Sequence, residues 1–365
     1  MKVLSTSTIS PPRTWAEIHF SALIHNLDFA RAHSGQRIMA VLKAGAYGHG
    51  IEQIGLALDT EGLAFFGVAS VIEARKLANV NIQTRIYLLG PTFPAERVEV
   101  VENRWTACIS SIEEAQQFNE LNQGNQPLKV HVTVDTGMGR GGFLPSDLDA
   151  AIVQIAKLSN IEIEGIGSHL PSADEDRDFT LKQFAQFEAA ASGRDYDFVH
   201  LSNSAGLLDY TSKLTNLVRP GLMLYGISPI PDFQGALQPV MTLKSRVSLI
   251  RTLPAGHGVS YGRDSILTKE TKVATIGAGY GDGYPRAVSN QGAEVLIRGQ
   301  RCPVLGRVTM DQIMVDVSGL DTCESGDEVE LFGPNILVSE LAQKANTIAW
   351  EVLTGITPRV TRMYF

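Results

Sequence analysis

Eight short apolar runs punctuate the chain between Arg37 and about Gly226, and they constrain its fold more than any other feature. They read RIMAVLKA, FFGVAS, RIYLLG, TACIS, LKVHVTVDTG, IEIEGIGSHL, FVHLSNSAG and VRPGLMLYG. Several are separated by stretches such as SVIEARKLANV and SIEEAQQFNELN, whose apolar residues recur at three- and four-residue spacing. Near-continuous apolar runs alternating with helical pattern predict a parallel sheet covered by helices. Eight is the number that closes a (β/α)8 TIM-type barrel, and a doubly wound open sheet is the alternative.

Near residue 235 the texture changes. MTLKSRVSLIRTL, TKVATIGAGY, AEVLIRG, IMVDVSG and DEVELFG read as strands between Gly, Pro and Asp turns, and helical pattern returns only at SELAQKANTIAWEVLTG. We therefore expect an α/β chain with a barrel over 12–235 and a mostly β domain over 236–365, joined by the N-terminal segment 1–11. A length of 365 residues suits two such domains.

Composition excludes several classes. The formal net charge is −8 and no long basic run occurs, so nucleic acid and anionic membranes are poor partners. Cys108, Cys302 and Cys323 are dispersed and odd in number, which fits free thiols and argues against a disulfide framework or a zinc ribbon. No metal site is expected. The start carries no apolar core of signal-peptide length, and no run is long enough to span a bilayer, so a cytoplasmic location is expected.

AVLKAGAYGHG places Lys43 at the end of the first apolar run. Barrel active sites lie at the carboxyl ends of the strands. A shielded lysine there has a lowered pKa and attacks carbonyls as a Schiff-base former, whereas an ordinary strand-end lysine simply reaches solvent. At other strand ends, the backbone N–H groups near Gly221 and Leu222 and the hydroxyls of Ser204 and Tyr47 suggest a phosphate-binding rim. A reactive lysine beside a phosphate cup is what pyridoxal phosphate requires.

AVLKAGAYGHG, VDTGMGRGGF, HLSNSAG, VRPGLMLYG, GVSYGR, GAGYGDGYPR and GRVTMDQ resemble, in order, the motifs of the bacterial alanine racemase family, over about Thr14 to Arg362. The resemblance implies an eight-stranded barrel with a C-terminal β domain, pyridoxal 5′-phosphate as cofactor, and a homodimer with shared sites. It implies a two-base interconversion of L- and D-alanine that supplies peptidoglycan synthesis. Lys43 then carries the cofactor and is one base, and Tyr261 is the base for the opposite face. Tyrosine is a weak base at neutral pH, so its site must stabilise the phenolate. His169 and Arg219 support these roles, with Arg219 at the pyridine nitrogen. Arg140 contacts the cofactor phenolic oxygen and the substrate carboxylate, the Met310 N–H holds that carboxylate, and Asp311 lies in the substrate-side wall. Tyr280, Arg286 and Asp174 match the entry passage, and Asn203 joins Ser204 in the cofactor-binding set.

Three positions depart from the family pattern. Thr133 stands where many members carry a carbamylated lysine, Thr309 where a cysteine often precedes the Met-Asp pair, and Pro358 where some place a phosphate-contacting tyrosine. At Thr133 a chloride ion or an ordered water is expected in the vacated space beside a buried Arg140, chloride being favoured because it also restores the charge.

Rival readings remain. Gly137, Gly139 and Gly142 form G-x-G-x-x-G after a predicted strand, with Glu162 beyond it, as in dinucleotide-binding folds. Pro145 and the polar PSD insertion delay the following helix, which argues against that reading. Non-catalytic barrel proteins that bind pyridoxal phosphate in cofactor homeostasis lack a C-terminal β domain. Decarboxylases of similar architecture generally place an acid, not an arginine, at the pyridine nitrogen. A racemase for another small amino acid such as serine stays open, because an apolar pocket rejects an added hydroxyl only about 10²-fold.

Overall fold

The computed structural model describes residues 12–365. Two compact units emerge, one containing Phe20–Gln238 and the other residues 12–19 with Pro239–Phe365. The expected barrel boundary at residue 12 is corrected by strand pairing. Strand β1 (Thr14–Ile18) pairs antiparallel with Met241–Leu253 and parallel with Thr361–Tyr364, so it is a strand of the β unit. The expectation for residues 1–11 lies outside the described residues.

In the larger unit each of the eight apolar runs supplies one strand: β2 (Arg37–Val41), β3 (Phe65–Val68), β4 (Ile86–Leu88), β5 (Thr106–Ile109), β6 (Leu128–Thr133), β7 (Ile161–Gly167), β8 (Phe198–His200) and β9 (Leu217–Val218). All pair in parallel, and β9 returns to β2 with Arg37 opposite Leu217. Two backbone bonds tie β9 back to β8: the Asn216 N–H to the Val199 carbonyl at 3.0 Å and the Arg219 N–H to the Ser202 carbonyl at 2.9 Å. The sheet therefore closes into a barrel, and the open-sheet alternative falls. One interior layer is Met39, Phe65, Tyr87, Cys108, Phe198 and Leu217, drawn from six strands and all buried.

Side-chain caps fix where several helices begin. Ser70 accepts from the Glu73 N–H ahead of Val71–Asn79, and Ser111 accepts from the Glu114 N–H ahead of Ile112–Leu121. Each satisfies an N–H that has no partner within the helix, worth about 1 kcal/mol.

The smaller unit is an eight-stranded sheet whose hub is the long strand β10 (Met241–Leu253). It pairs with β1, with Thr271–Ile276 and with Glu328–Phe332. The helical stretch near the C-terminus is two short helices, Val338–Lys344 and Ala349–Thr354, separated at Asn346, which adopts φ 54°. Among the described residues no helix is long and apolar enough to cross a membrane, and no cluster of His, Cys, Asp and Glu could hold a metal ion.

Candidate active site

Lys43 follows β2 directly and opens a turn with an unusual backbone. Ala44, Gly45, Ala46 and Tyr47 all have φ between 51° and 63°. Left-handed conformation costs a non-glycine residue about 1–2 kcal/mol, so three such residues must be held by their surroundings. The Gly48 N–H donates to the Ala44 carbonyl at 3.0 Å and the Gly50 N–H to the Gly45 carbonyl at 2.9 Å. From the neighbouring helix Glu73 accepts from the Gly45 N–H at 3.3 Å. The Tyr47 ring packs against Tyr225 at 4.8 Å, and the Tyr225 hydroxyl donates to the Val41 carbonyl. A strained turn fixed from three sides presents the lysine in one place.

The charges around it are mostly positive. Burial first, then the fields of Arg140 and Arg219, lower the Lys43 pKa, while Glu73 opposes them. A lowered pKa raises the fraction of free amine, the form that attacks carbonyls. Burial, reinforced by Arg219, Arg140 and Lys43, pushes His169 down to about 3, so its imidazole is neutral. Burial lowers Arg219 to about 10, which still leaves a cation at neutral pH. Arg219 donates to the carbonyls of Ser168 at 2.6 Å and Leu201 at 3.1 Å and meets Nδ1 of His169 at 3.3 Å. Among the described residues no carboxylate lies within salt-bridge distance of Lys43, Arg140 or Arg219. Such a barrel mouth favours an anion.

A cup for one exists where β9 ends. Ser204 Oγ accepts from the Gly221 N–H at 3.0 Å and from the Met223 N–H at 3.4 Å. A Cβ on Gly221 would lie 2.5 Å from the Tyr47 hydroxyl, so only glycine admits this approach. Leu222 opens a 3-10 turn, Leu222–Tyr225, whose first N–H groups have no partner within the turn. Asn203 caps the next helix by accepting from the Gly206 N–H and donates to the Leu170 carbonyl. A poised lysine, hydroxyls at a glycine-lined cup and an arginine in place of an acid fit pyridoxal phosphate.

Thr133 ends β6. Arg140 is exposed, which corrects the expectation that it is buried within this chain. The GMGRGG loop is no dinucleotide cradle. Asp135 Oδ1 accepts from the N–H groups of Gly137, Met138 and Gly139 at 2.9, 2.9 and 3.1 Å, so the loop's donors are spent on its own carboxylate. The next helix starts only at Leu148.

Tyr261, Tyr280, Met310 and Asp311 belong to the β unit. Tyr261 is 70% exposed and Met310 52%. Tyr261 follows Ser260, which has φ 64° and is pinned by its hydroxyl to the Arg307 carbonyl at 2.6 Å. The Met310–Asp311 turn is braced by Thr309, whose hydroxyl donates to the Gln312 carbonyl at 2.7 Å and accepts from the Gln312 N–H at 3.1 Å. Buried Asp282 ties the neighbouring loops together. It accepts from the Gly279 N–H, from Arg13 and from Arg359, and Arg359 also reaches Asp311 at 2.9 Å. Replacing Asp282 by Ala is expected to cost about 3 kcal/mol in urea unfolding, because two guanidiniums lose their shared partner. A loss below about 1 kcal/mol would show that solvent replaces the carboxylate. Arg286 and Asp174 are exposed.

Sequence reasoning missed Glu73, which holds the Lys43 turn. Its signal is the Ser70-x-x-Glu73 capping box, which places a carboxylate on the first turn of a helix. It also missed His131, His200 and Glu164, three ionisable residues inside barrel strands that are otherwise apolar.

Fold and site together define a class: a (β/α)8 barrel with a lysine-bearing cationic mouth, followed by a β domain. The profile for the alanine racemase N-terminal domain matches residues 18–229 and that for the alanine racemase C-terminal domain matches 240–364. An alanine racemase of Halothermothrix orenii is 38% identical over 96% of this chain and 96% of its own, and one of Methylacidiphilum infernorum is 38% identical over 99% and 95%. The solved alanine racemase of Clostridium difficile 630 superposes with a TM-score of 0.91 at 34% identity, covering 98% of this chain and 97% of its own. The biosynthetic enzyme of Pseudomonas aeruginosa gives 0.90 at 32%, covering 97% and 100%. The chain belongs to the alanine racemase family.

Proposed function

We propose that this protein interconverts L- and D-alanine by a two-base mechanism with pyridoxal 5′-phosphate, in the cytoplasm, supplying D-alanine for peptidoglycan. The observation that carries the reading is Lys43, held by a strained turn in a barrel mouth it shares with Arg219. Ser204, Asn203, Tyr47, Gly221 and Leu222 would hold the phosphate, His169 and Arg219 the ring, and Lys43 the carbonyl carbon. When bound, the cofactor supplies an electrophilic carbonyl and an electron sink that acidifies the substrate Cα–H.

The protein's own groups then divide the work. Lys43 moves a proton at one face of Cα and Tyr261 at the other. Arg140 and the Met310 N–H orient the substrate carboxylate, with Tyr280 and Asp311 lining the approach. Arg219 stays protonated and cannot readily pass a proton to the ring nitrogen, which limits electron withdrawal and favours proton exchange over transamination. Each site is shared in a homodimer, one subunit's β domain supplying Tyr261 and Met310 to the partner's barrel. The high exposure of both side chains supports this arrangement.

Chiral analysis of products across a panel of small amino acids tests the reading. Alanine is expected to equilibrate fastest and serine more slowly. Release of carbon dioxide, or no turnover at all, would overturn it in favour of a decarboxylase or a cofactor carrier.

A chloride ion beside Thr133 and Arg140 belongs to the same reading. Its support is the shortage of carboxylates around the cations of the mouth, since Thr133 brings no charge. Activity is expected to rise with chloride at fixed ionic strength relative to a bulky anion, and to ignore bicarbonate. A crystal structure with a protein carboxylate on Arg140 and no anion beside Thr133 would rule chloride out.

A further inference from the structure

Barrel interiors are normally filled by layers of branched aliphatic side chains. Part of this one is ionisable. Arg219 Nη1 meets Nδ1 of His200 at 2.5 Å, and His200 Nε2 meets Nδ1 of His131 at 2.8 Å. His131 Nε2 lies 3.6 Å from Oε2 of Glu164, which is held in turn by Arg85 at 2.6 Å and Lys129 at 3.2 Å. Arg219, His200, His131 and Glu164 are all buried, whereas Arg85 and Lys129 reach solvent. Arg219 and His200 sit at the carboxyl ends of β9 and β8, while Arg85 and Lys129 sit at the amino ends of β4 and β6. The chain of contacts thus runs from the mouth of the barrel to its opposite end.

Space has been made for it. A Cβ on Gly167 would lie 2.2 Å from the His200 ring, and one on Gly165 would lie 2.9 Å from the His131 ring. Phe65, Tyr87 and Phe198 enclose His131 with ring centroids at 5.5, 4.9 and 5.5 Å, and Tyr87 also flanks His200.

Donor chemistry gives the chain a direction. Arginine only donates, so Nδ1 of His200 accepts. A neutral imidazole has one N–H, so the proton of His200 is on Nε2 and points at Nδ1 of His131. His131 then carries its own proton on Nε2, directed at the Glu164 carboxylate. Burial holds both imidazoles below their ordinary pKa, in keeping with neutral rings. Burial works against ionisation of Glu164, but the neighbouring His131, Arg85 and Lys129 prevail and keep it an anion.

We propose that His131 and His200 form a one-way hydrogen-bond relay that orients Arg219, and that Glu164, facing Nε2 of His131 at 3.6 Å without a hydrogen bond, fixes the proton positions of both rings from the far end of the barrel. Its bearing on catalysis rests on the role proposed above for Arg219, and Glu164 is a positioning residue. The relay fixes Arg219 without placing a carboxylate at the mouth, where one would compete with an anionic ligand for Arg219, Arg140 and Lys43.

Nitrogen NMR of the histidine-labelled holoenzyme reads the relay directly, with His131 and His200 assigned by signal loss in His131→Gln and His200→Gln. Both rings are expected neutral, protonated on Nε2, from about pH 6 to about pH 9. The charged and titratable groups facing them are Arg219, Arg85, Glu164 and Tyr87. An Nδ1-protonated ring or an imidazolium at either position overturns the relay. Glu164→Gln is expected to lower kcat roughly tenfold, leave KM within about twofold, and shift the cofactor's visible absorption band, with Glu164→Asp recovering part of the loss. A drop in thermal stability with kcat and absorption band unchanged overturns the positioning role. A wild-type protein with the expected tautomers but no racemisation would sink the proposed function and leave the relay standing.

Discussion

Lys43→Ala is expected to abolish racemisation, by at least about 10³-fold, and to leave no borohydride-fixed cofactor on the protein. Reduction of the unmodified protein should place the label on Lys43, and recovery on another lysine would overturn the assignment. The loss should also be curable without restoring the lysine. If each site draws Lys43 from one subunit and Tyr261 from its partner, a Lys43→Ala subunit and a Tyr261→Phe subunit together contain one intact site and one doubly defective site. Free subunit exchange between equal amounts makes half the dimers mixed, each with one working site of two. The mixture is therefore expected to recover about a quarter of the unmodified activity. Stable mutants whose subunits exchange, yet recover nothing, would show that each chain builds its site alone.

The barrel was readable because its strands are buried on both faces. RIMAVLKA and TACIS lack polar alternation, and only a sheet covered on both sides uses such runs. TWAEI and TRMY were not readable, since strands of five and four residues carry too little pattern and both find partners far away in sequence. The Lys43 turn was half legible. Its glycines announced a tight bend, but nothing in Ala44, Ala46 or Tyr47 announces left-handed backbone, which is imposed by Glu73, Tyr225 and the turn's own hydrogen bonds. In the sequence Gly165 and Gly167 carry no sign of their purpose. Their reason is two histidine rings on adjacent strands, and neither HVT nor FVH reveals that its histidine faces inward. Residues at strand ends were readable as a site even across the barrel, as with Tyr47, Ser204 and Gly221, whereas polar residues buried within strands were not.

Tyr261→Phe is expected to cut racemisation by about 10²–10⁴-fold while leaving half of the chemistry intact. The substitution removes one hydroxyl from a side chain 70% exposed on the chain, so it should change subunit stability by less than about 0.5 kcal/mol, and a lost rate reports chemistry. A two-base racemase removes the α-proton from one face and returns another from the opposite face. With Tyr261 silenced, Lys43 still removes and replaces protons on its own face. One enantiomer of alanine should therefore keep exchanging its α-hydrogen with deuterated water, and the product of that exchange should retain its configuration. The other enantiomer, whose α-hydrogen faces the phenylalanine, should exchange slowly. Proton NMR of L- and D-alanine incubated separately in deuterium oxide distinguishes the outcomes. Equal slowing of both enantiomers would make Tyr261 a general binding residue. Undiminished racemisation would assign the second base elsewhere, with one base serving both faces as the remaining possibility. Asymmetric exchange identifies the face served by Lys43, since whichever enantiomer continues to exchange presents its α-hydrogen to the lysine.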